Sequence, residues 1–311
     1  MQHYLTYLNN AIKKHWTKPA FSNFGGETYT YAQIAEGIEK YHLLFDACGL
    51  KKGDKIALYA RNSAEWCIAY FAIASYEAVA VPLLPDFLPQ NVLDLTRLSD
   101  SRLLLTDAAI LNGLKRDKVL SQFDSVENFC GIVDIVNLQS VPECKCVVPA
   151  LSDEVDRCFK SRYPNGVTQK HIDFGKSSLD AISVISYTSG TSSAPKGVIL
   201  PARAISANLE YARSHMYAEQ GYTILSILPL AHIFGQAFDF IFPFSKGCHI
   251  YIYTEKPIPA RLLKALYEVK PFMFLTVPLL VEKIFRLKVM PLLQERSMRI
   301  LTSLPFVKGI I

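Results

Sequence analysis

A hydroxyl-rich stretch in the middle of the chain has the composition of a phosphate-binding loop. Residues 187–197 read Y-T-S-G-T-S-S-A-P-K-G, and five of these eleven residues are Thr or Ser. Their hydroxyls and the exposed backbone N–H groups can donate hydrogen bonds to phosphate oxygens. Gly190 lets the backbone approach closely, and the ammonium of Lys196 offsets negative charge. The stretch therefore indicates a phosphorylated ligand.

This stretch differs from the common mononucleotide-binding loop. That loop requires G-x-x-x-x-G-K-[ST], whereas here the Lys precedes a Gly. The flanking residues predict two strands, 182–187 and 196–200, so the loop does not lead directly into a helix and gains less from a helix dipole. An ordinary Ser/Thr/Gly-rich hairpin loop is the alternative interpretation.

The same residues closely resemble the signature loop Y-[ST]-S-G-T-T-G-x-P-K-G of the AMP-forming adenylating enzymes. This superfamily comprises acyl-CoA synthetases, firefly luciferase and peptide-synthetase adenylation domains. The chain departs from the usual form at Ser192 and Ser193, where Thr and Gly are typical. Ser192 keeps a hydroxyl, whereas Ser193 replaces a Gly that gives the loop freedom and could slow its rearrangement.

A second segment, L-P-L-A-H-I-F-G at 228–235, resembles the L-P-L-x-H-x-x-[GA] segment of long-chain acyl-CoA synthetases. A lone His on an apolar segment is more often a satisfied core residue. Its place 36 residues after Lys196 favours a functional role. The resemblance implies that His232 and Phe234 lie beside the acyl carboxylate and the adenine side of a pocket, with Gly235 in the same substrate site.

Two weaker matches extend the resemblance over the chain. T-V-P at 276–278, followed by E-K-I at 282–284, resembles a run of the long-chain enzymes. It implies that Val277 and Pro278 line an acyl tunnel, with plain core packing as the alternative. Residues 28–31 and 50–57 resemble the opening helix and first strand of the family, and 115–178 is the least typical part.

The resemblance implies an enzyme that runs two half-reactions. A carboxylate, expected to belong to a medium- or long-chain fatty acid, attacks the α-phosphate of ATP and gives an acyl-adenylate. Coenzyme A then displaces AMP. Lys196 and His232 take the catalytic roles, and Mg²⁺ balances charge, with Thr188 as a possible ligand beside a carboxylate absent from this sequence. The expected nucleotide contacts are Thr188, Ser189, Gly190, Thr191, Ser192, Ser193, Lys196 and Gly197.

Several family segments are absent from the 311 residues. They include the aromatic-Gly-x-Thr-Glu segment, the Asp that grips the ribose, and a small second domain with a catalytic Lys. The apolar run 306–311 also ends without a cap, so we expect a truncated N-terminal part of the large domain that does not adenylate efficiently alone. The alternatives are a fatty acyl-AMP ligase that loads an acyl-carrier protein, a non-catalytic binding module, and an unrelated phosphate-binding protein.

Composition is compatible with a cytoplasmic globular protein. Half of the residues are hydrophobic, the net charge is +5, and the seven Cys are irregularly spaced, which favours reduced thiols. The apolar segment 222–244 contains Asp239 and two Pro, so it predicts core elements instead of a membrane span. Residues 256–308 hold ten Lys or Arg and three Glu, which leaves peripheral membrane contact open, whereas no pattern indicates nucleic-acid binding.

Strand and helix patterns alternate along the first half of the chain, which is typical of a doubly wound sheet. Capping boxes at 30–33 and 62–65 predict two helix starts. The pattern predicts an α/β fold of mostly parallel, helix-flanked sheets, with subdomains at 1–180 (irregular over 115–178) and 181–311. Further predicted strands are 54–60, 79–84, 103–106, 129–138, 224–228, 249–253 and 273–276, one more is expected within 142–178, and further helices are 2–16, 89–99, 202–216, 233–242, 259–269 and 278–288.

Overall fold

The computed structural model describes residues 1–144, 151–174, 177–188, 195–255 and 258–294. Its strands are β1 Pro19–Asn23, β2 Thr28–Thr30, β3 Lys55–Tyr59, β4 Val79–Pro82, β5 Ser101–Thr106, β6 Gly131–Asp134, β7 Ile182–Thr188, β8 Lys196–Pro201, β9 Thr223–Ser226, β10 His249–Ile252 and β11 Met273–Phe274. Its α-helices are α1 Tyr4–Lys14, α2 Tyr31–Ala47, α3 Ala64–Ser75, α4 Pro89–Leu98, α5 Ala108–Arg116, α6 Leu151–Arg162, α7 Ala202–His215, α8 Phe242–Ser245, α9 Pro259–Val269, α10 Pro278–Ile284 and α11 Met290–Gln294. Two π-helical turns, Gly235–Ile241 and Phe285–Val289, lead directly into α8 and α11.

The strands form two mostly parallel sheets. Sheet A has the order β11-β9-β10-β1-β2, and sheet B has the order β6-β5-β3-β4-β7-β8. Among the described strands, only the edge pairs β1–β2 and β7–β8 are antiparallel. Parallel strands end at the same edge of a sheet, where ligand sites of α/β folds lie. The loops that follow these strands are therefore the first place to search for a site.

An aromatic cluster joins the two sheets. Phe71 of α3 lies 4.5 Å from the ring of Phe240 and 4.8 Å from that of Phe244, while Phe21 of β1 lies 5.2 Å from Phe244. Trp66 completes the cluster, and all five side chains are essentially inaccessible to solvent. Truncating one such ring to Ala typically costs about 3–5 kcal/mol. Helix α3, which follows a strand of sheet B, is thus held against elements of sheet A.

The first predicted helix start is confirmed, and the second is wrong in detail. Thr30 Oγ1 accepts from Gln33 N at 3.3 Å, and Gln33 Oε1 accepts from Thr30 N at 2.8 Å, so the capping box forms in both directions. Helix α3 begins one residue later than predicted, because Ser63 Oγ accepts from Trp66 N. Glu65 does not cap the helix, since its carboxylate accepts from Asn23 Nδ2 and Tyr29 Oη instead.

Most predicted elements are confirmed, with four corrections. The strand predicted at 129–138 is only β6, which spans four residues. The described part of 142–178 holds α6 and a 3₁₀ turn, and the strand predicted there is absent from it. The helices predicted at 233–242 and 278–288 each contain a π-helical turn. Strands β1 and β2 and helix α5 had no counterpart among the predictions. The run 306–311 lies outside the described residues.

Strands from before and after the predicted boundary at residue 180 lie together in each of the two sheets. Sheet A combines β1 and β2 with β9, β10 and β11, and sheet B combines β3 to β6 with β7 and β8. The apolar segment 222–244 forms β9, a loop and the turn that leads into α8. Within the described ranges, no helix is long and apolar enough to cross a membrane.

Candidate active site

A cleft of about 610 Å³ opens where the carboxyl ends of both sheets meet. One wall comes from loops after strands of sheet B and includes Arg61, Asn62 and Asp86. The other wall comes from loops after β9 and β10 and includes His232 and Tyr253. Its volume lies within the range of about 300–1,000 Å³ that is usual for small-molecule sites.

The side chain of Asn62 connects the two walls. Its Nδ2 donates to the carbonyl of Leu228 at 2.7 Å, and its Oδ1 accepts from the N–H of Leu230 at 3.0 Å. Asn62 lies between the end of β3 and the first turn of α3. A residue of sheet B therefore holds the backbone of the predicted L-P-L-A-H-I-F-G segment in register.

A buried carboxylate holds the same segment from within sheet A. Asp239 is inaccessible to solvent. Its Oδ2 accepts from the N–H groups of Ile227 and Leu228 at 3.0 and 3.1 Å. These two groups follow β9 directly, so Asp239 satisfies backbone donors that no strand partner reaches. The start of the segment is thus fixed by hydrogen bonds on both sides.

Gly235 is required by a close approach of two backbone segments. A Cβ placed on it would lie 2.5 Å from the carbonyl oxygen of Pro229, a separation that real Cβ atoms essentially never show. The backbone N–H of His232 also donates to that oxygen at 3.0 Å. The glycine at this place in the motif therefore has a packing role, because it closes the loop that carries His232.

His232 is exposed and lines the cleft. Of the predicted site residues that the structure describes, it alone does so. Phe234 is 56% exposed, and its ring lies 4.8 Å from that of Phe238. Val277 and Pro278 begin α10 and are exposed, while the next turn of this helix buries Leu280 in a cluster with Ile227 and Tyr253. Their role in an acyl tunnel stays a prediction.

The ends of the predicted phosphate loop are held together by a hairpin. Thr188 is paired with Lys196, and Tyr187 is paired with Gly197, in the antiparallel β7–β8 ladder. Strand β7 runs parallel to β4, so Thr188 lies at the carboxyl end of sheet B. Thr188 and Lys196 are both exposed. The intervening Ser189, Gly190, Thr191, Ser192 and Ser193 lie outside the described residues.

Arg61 supplies a cation to the wall of the cleft. Asp107 accepts from the backbone N–H of Arg61 at 2.8 Å, and from its Nε at 3.3 Å. The same carboxylate caps α5 by accepting from Ala109 N and Ile110 N. About half of the Arg61 side-chain surface (53%) is exposed, so its guanidinium can still donate a hydrogen bond to an anion.

Tyr253 contributes a neutral hydroxyl to the opposite wall. The residue is 4% exposed, and its Oη has no hydrogen-bond partner within the described part of the chain. Burial raises the pKa of Tyr253, and the nearby Glu255 adds to this effect while Arg261 opposes it. The hydroxyl therefore remains protonated at neutral pH and can act as a donor.

The described ranges contain no group of three or more His, Cys, Asp or Glu that could hold a metal ion. Thr188 offers a single hydroxyl at the end of β7. The role of Mg²⁺ and of Thr188 as its ligand stays a prediction, and we assign no reaction step to Mg²⁺.

Comparison with known proteins decides the family. The model of the family described as "AMP-binding enzyme" matches residues 8–307. The chain belongs to this family. A crotonobetaine/carnitine–CoA ligase of Proteus mirabilis is 25% identical over 276 residues, which are 87% of this chain and 49% of that protein. The peroxisomal long chain acyl-CoA synthetase 6 of Arabidopsis thaliana is 27% identical over 76% of this chain and 32% of its own length.

Solved structures show the same fold. The N-terminal domain of FACL13 from Mycobacterium tuberculosis superposes with a TM-score of 0.73 at 18% identity, covering 96% of this chain and 67% of that one. The anthranilate CoA ligase AuaEII, in complex with anthranoyl-AMP, gives 0.72 at 18% identity over 88% of this chain and 49% of its own. The α/β fold predicted from the sequence is thereby confirmed. The chain spans less than half of the length of the curated relatives it matches.

The functional residues that were not predicted carry only weak signals in the sequence. Asn62 and Asp107 both follow an apolar strand closely, which is where polar site residues of parallel sheets lie. Asn62 instead fitted a helix cap, because its partners lie more than 160 residues away in sequence. Asp239 is the one carboxylate within 222–244, and that isolation indicates a specific buried role.

We expect Gly235→Ala to destabilise this AMP-binding family member by about 1–3 kcal/mol, because the added methyl group overpacks a backbone contact. Gly113→Ala is the matched control, since Gly113 is also helical and nothing lies within 4 Å of its Cβ position. That variant should gain up to about 1 kcal/mol from helix propensity. Urea unfolding of both variants measures the difference. Equal effects would contradict the close approach.

A second prediction concerns the link between the walls. Asn62→Ala should lower the free energy of unfolding by about 1–3 kcal/mol, because it leaves a carbonyl and an N–H without their partner. Asn137→Ala is the control, since Asn137 accepts a single hydrogen bond from Gln139 in an exposed turn. Denaturant unfolding should separate the two variants. If Asn62→Ala unfolds like Asn137→Ala, the link contributes nothing to stability.

Proposed function

We propose that this chain forms the N-terminal part of an ATP-dependent acid–thiol ligase, which activates a carboxylic acid as its acyl-adenylate and transfers the acyl group to coenzyme A. The observation that carries the proposal is the convergence of two predicted elements. Thr188, at the end of β7, and the His232 segment, after β9, both follow the carboxyl ends of parallel strands, and His232 lines the cleft there. The named relatives support it, because they are CoA ligases.

The chemistry of the first half-reaction suits the side chains around the cleft. Attack of a carboxylate on a phosphate concentrates negative charge, so positioning and charge neutralisation supply most of the rate. Lys196, at the end of the hairpin, would neutralise the departing pyrophosphate. His232 would contact the acyl carboxylate from the opposite wall. Arg61, which lines the cleft together with His232, supplies a further cation.

A medium- or long-chain fatty acid is the substrate that we propose. The L-P-L-A-H-I-F-G segment supports it, and so does the similarity to a long chain acyl-CoA synthetase. Phe234 and Val277 are exposed apolar side chains and would offer a surface for an alkyl chain. Other relatives are named for coumarate and carnitine, so a panel of acids is the direct test.

Ligand-dependent thermal unfolding of the 311-residue chain tests this proposal. We expect ATP to stabilise the chain, by about 2.7 kcal/mol at a hundredfold excess over Kd. A fatty acid should add more in the presence of ATP than in its absence, and more than coumarate or carnitine. Purely additive shifts would favour the unrelated phosphate-binding alternative. The same samples should release no acid-dependent pyrophosphate above background.

Two histidine variants show whether the effect of the fatty acid depends on His232. His232→Ala should remove the ATP-dependent increment from the fatty acid while leaving the effect of ATP alone. His215→Ala is the control, since His215 is an exposed histidine at the end of α7. Retention of the increment in His232→Ala would exclude this residue from the acyl site.

A further prediction concerns Lys196 in a longer polypeptide that includes the remaining segments of the family domain. There, Lys196→Ala should lower acid-dependent pyrophosphate release by about 10²–10³, the effect of losing one preorganised donor. Lys170→Ala, in the exposed 3₁₀ turn Gln169–His171, should leave the rate unchanged. A loss below about threefold would assign the neutralisation to the loop backbone.

A further inference from the structure

Only one oxygen of the Asp239 carboxylate has hydrogen-bond partners among the described residues. Its Oδ2 accepts from the N–H groups of Ile227 and Leu228. Its Oδ1 has no partner among the described residues, and neither have Ser226 Oγ and Gln236 Oε1, which are equally buried. A buried carboxylate without a cation is costly to ionise. When Asp239 is ionised, its two hydrogen bonds to backbone N–H groups therefore offset part of the free-energy cost of removing its charge from water.

Helix α3 places one titratable residue, Cys67, near Asp239. Burial raises the pKa of the Cys67 thiol, and the charges of Glu65 and Asp239 raise it further, so this thiol stays neutral. Burial also raises the pKa of Asp239 to about 7, although the N–H of Leu228, the nearby hydroxyl of Ser226 and the N–H of Ile227 oppose the change. Both protonation states of the carboxyl are thus populated near neutral pH.

We propose that Asp239 is a positioning residue whose protonation state sets the backbone of the segment that carries His232. The ionised carboxylate binds the N–H groups of Ile227 and Leu228 as charge-assisted hydrogen bonds, which are roughly twice as strong as neutral ones. The protonated carboxyl holds them weakly and loosens the segment between β9 and Gly235. The importance of this for acyl binding rests on the proposed function, whereas the coupling itself does not.

The sign of the pH dependence follows from the raised pKa. The unfolded carboxyl titrates near about 3.9 and the folded one near 7. The acid form of Asp239 therefore stabilises the fold fully below about pH 4, and this contribution is lost as the pH rises to about 7. Ionisation thus positions the segment at the expense of stability.

Amide NMR of the ¹⁵N-labelled chain, recorded from about pH 5 to pH 9, tests the coupling. We expect the amides of Ile227 and Leu228 to shift with one common midpoint near 7. The amide of Leu230, which binds Asn62 and not Asp239, should follow with the same midpoint. Unrelated midpoints, or a silent Leu230, would overturn the proposal.

Two variants identify the group that titrates. Asp239→Asn should fold, because its amide oxygen can accept both N–H groups while its amide nitrogen can donate to an unpartnered oxygen of Ser226 or Gln236. It should abolish the common step, whereas Cys67→Ala should keep it. Asp134→Asn is the matched control, since Asp134 holds the N–H groups of Val136 and Asn137 in the turn after β6. Survival of the step in Asp239→Asn would refute the assignment.

The ligand measurement separates this inference from the proposed function. A fatty acid is ionised at both pH 6 and pH 8, whereas the terminal phosphate of ATP titrates in this range with either protein. A difference in pH dependence between wild type and Asp239→Asn must therefore come from residue 239. We expect wild type to gain severalfold in affinity for the acid with ATP, relative to Asp239→Asn, between about pH 6 and about pH 8. Absence of acid binding with an intact NMR step would refute the function alone. Binding with the same pH dependence in both proteins would refute the positioning role alone.

Discussion

The hydrogen bonds of one side-chain amide define the geometry of the candidate site. The aromatic cluster around Phe71 and Phe240 buries apolar surface between the two sheets, but burial of apolar surface has no direction. Asn62 adds direction, because it can bind Leu228 and Leu230 together in a single relative placement of β3 and β9. The two walls of the cleft are therefore positioned by the same residue, and His232 is placed with respect to Arg61 and Asn62.

Local signals explain the parts of the fold that the sequence predicted correctly. The capping box at Thr30 and the β7–β8 hairpin depend on neighbours within a few residues, and both are confirmed. Strand β1 was missed because its partner is remote: Phe21 pairs with Ile250 of β10. A five-residue strand that begins with Pro carries little local signal. Strand β1 lies in sheet A beside strands from the other end of the chain. This placement depends on long-range strand pairing, which a local sequence pattern does not show.

The candidate site likewise contains residues that local sequence patterns predicted and residues that they did not. The hydroxyl-rich hairpin and the L-P-L-A-H-I-F-G segment were predicted from residue types at fixed spacing. The structure places Thr188, at the end of β7, and the segment with His232 at carboxyl ends of parallel strands. Asn62 and Asp107 were not predicted as site residues, since each joins elements that are far apart in sequence. The local pattern around Asn62 did indicate a polar role for it, but assigned the wrong partner.

The irregular turn after His232 gives a reason for this arrangement. A π-helical turn adds a residue to the helical repeat and is often found at functional sites. Here it spans Gly235–Ile241, so that Gly235 meets the carbonyl of Pro229 while Asp239, one turn later, reaches back to the end of β9. The segment with His232 is therefore closed at Gly235 and anchored at Asp239, which leaves the imidazole exposed on a backbone that is held in place. Such preorganisation lowers the entropic cost of binding a reactant.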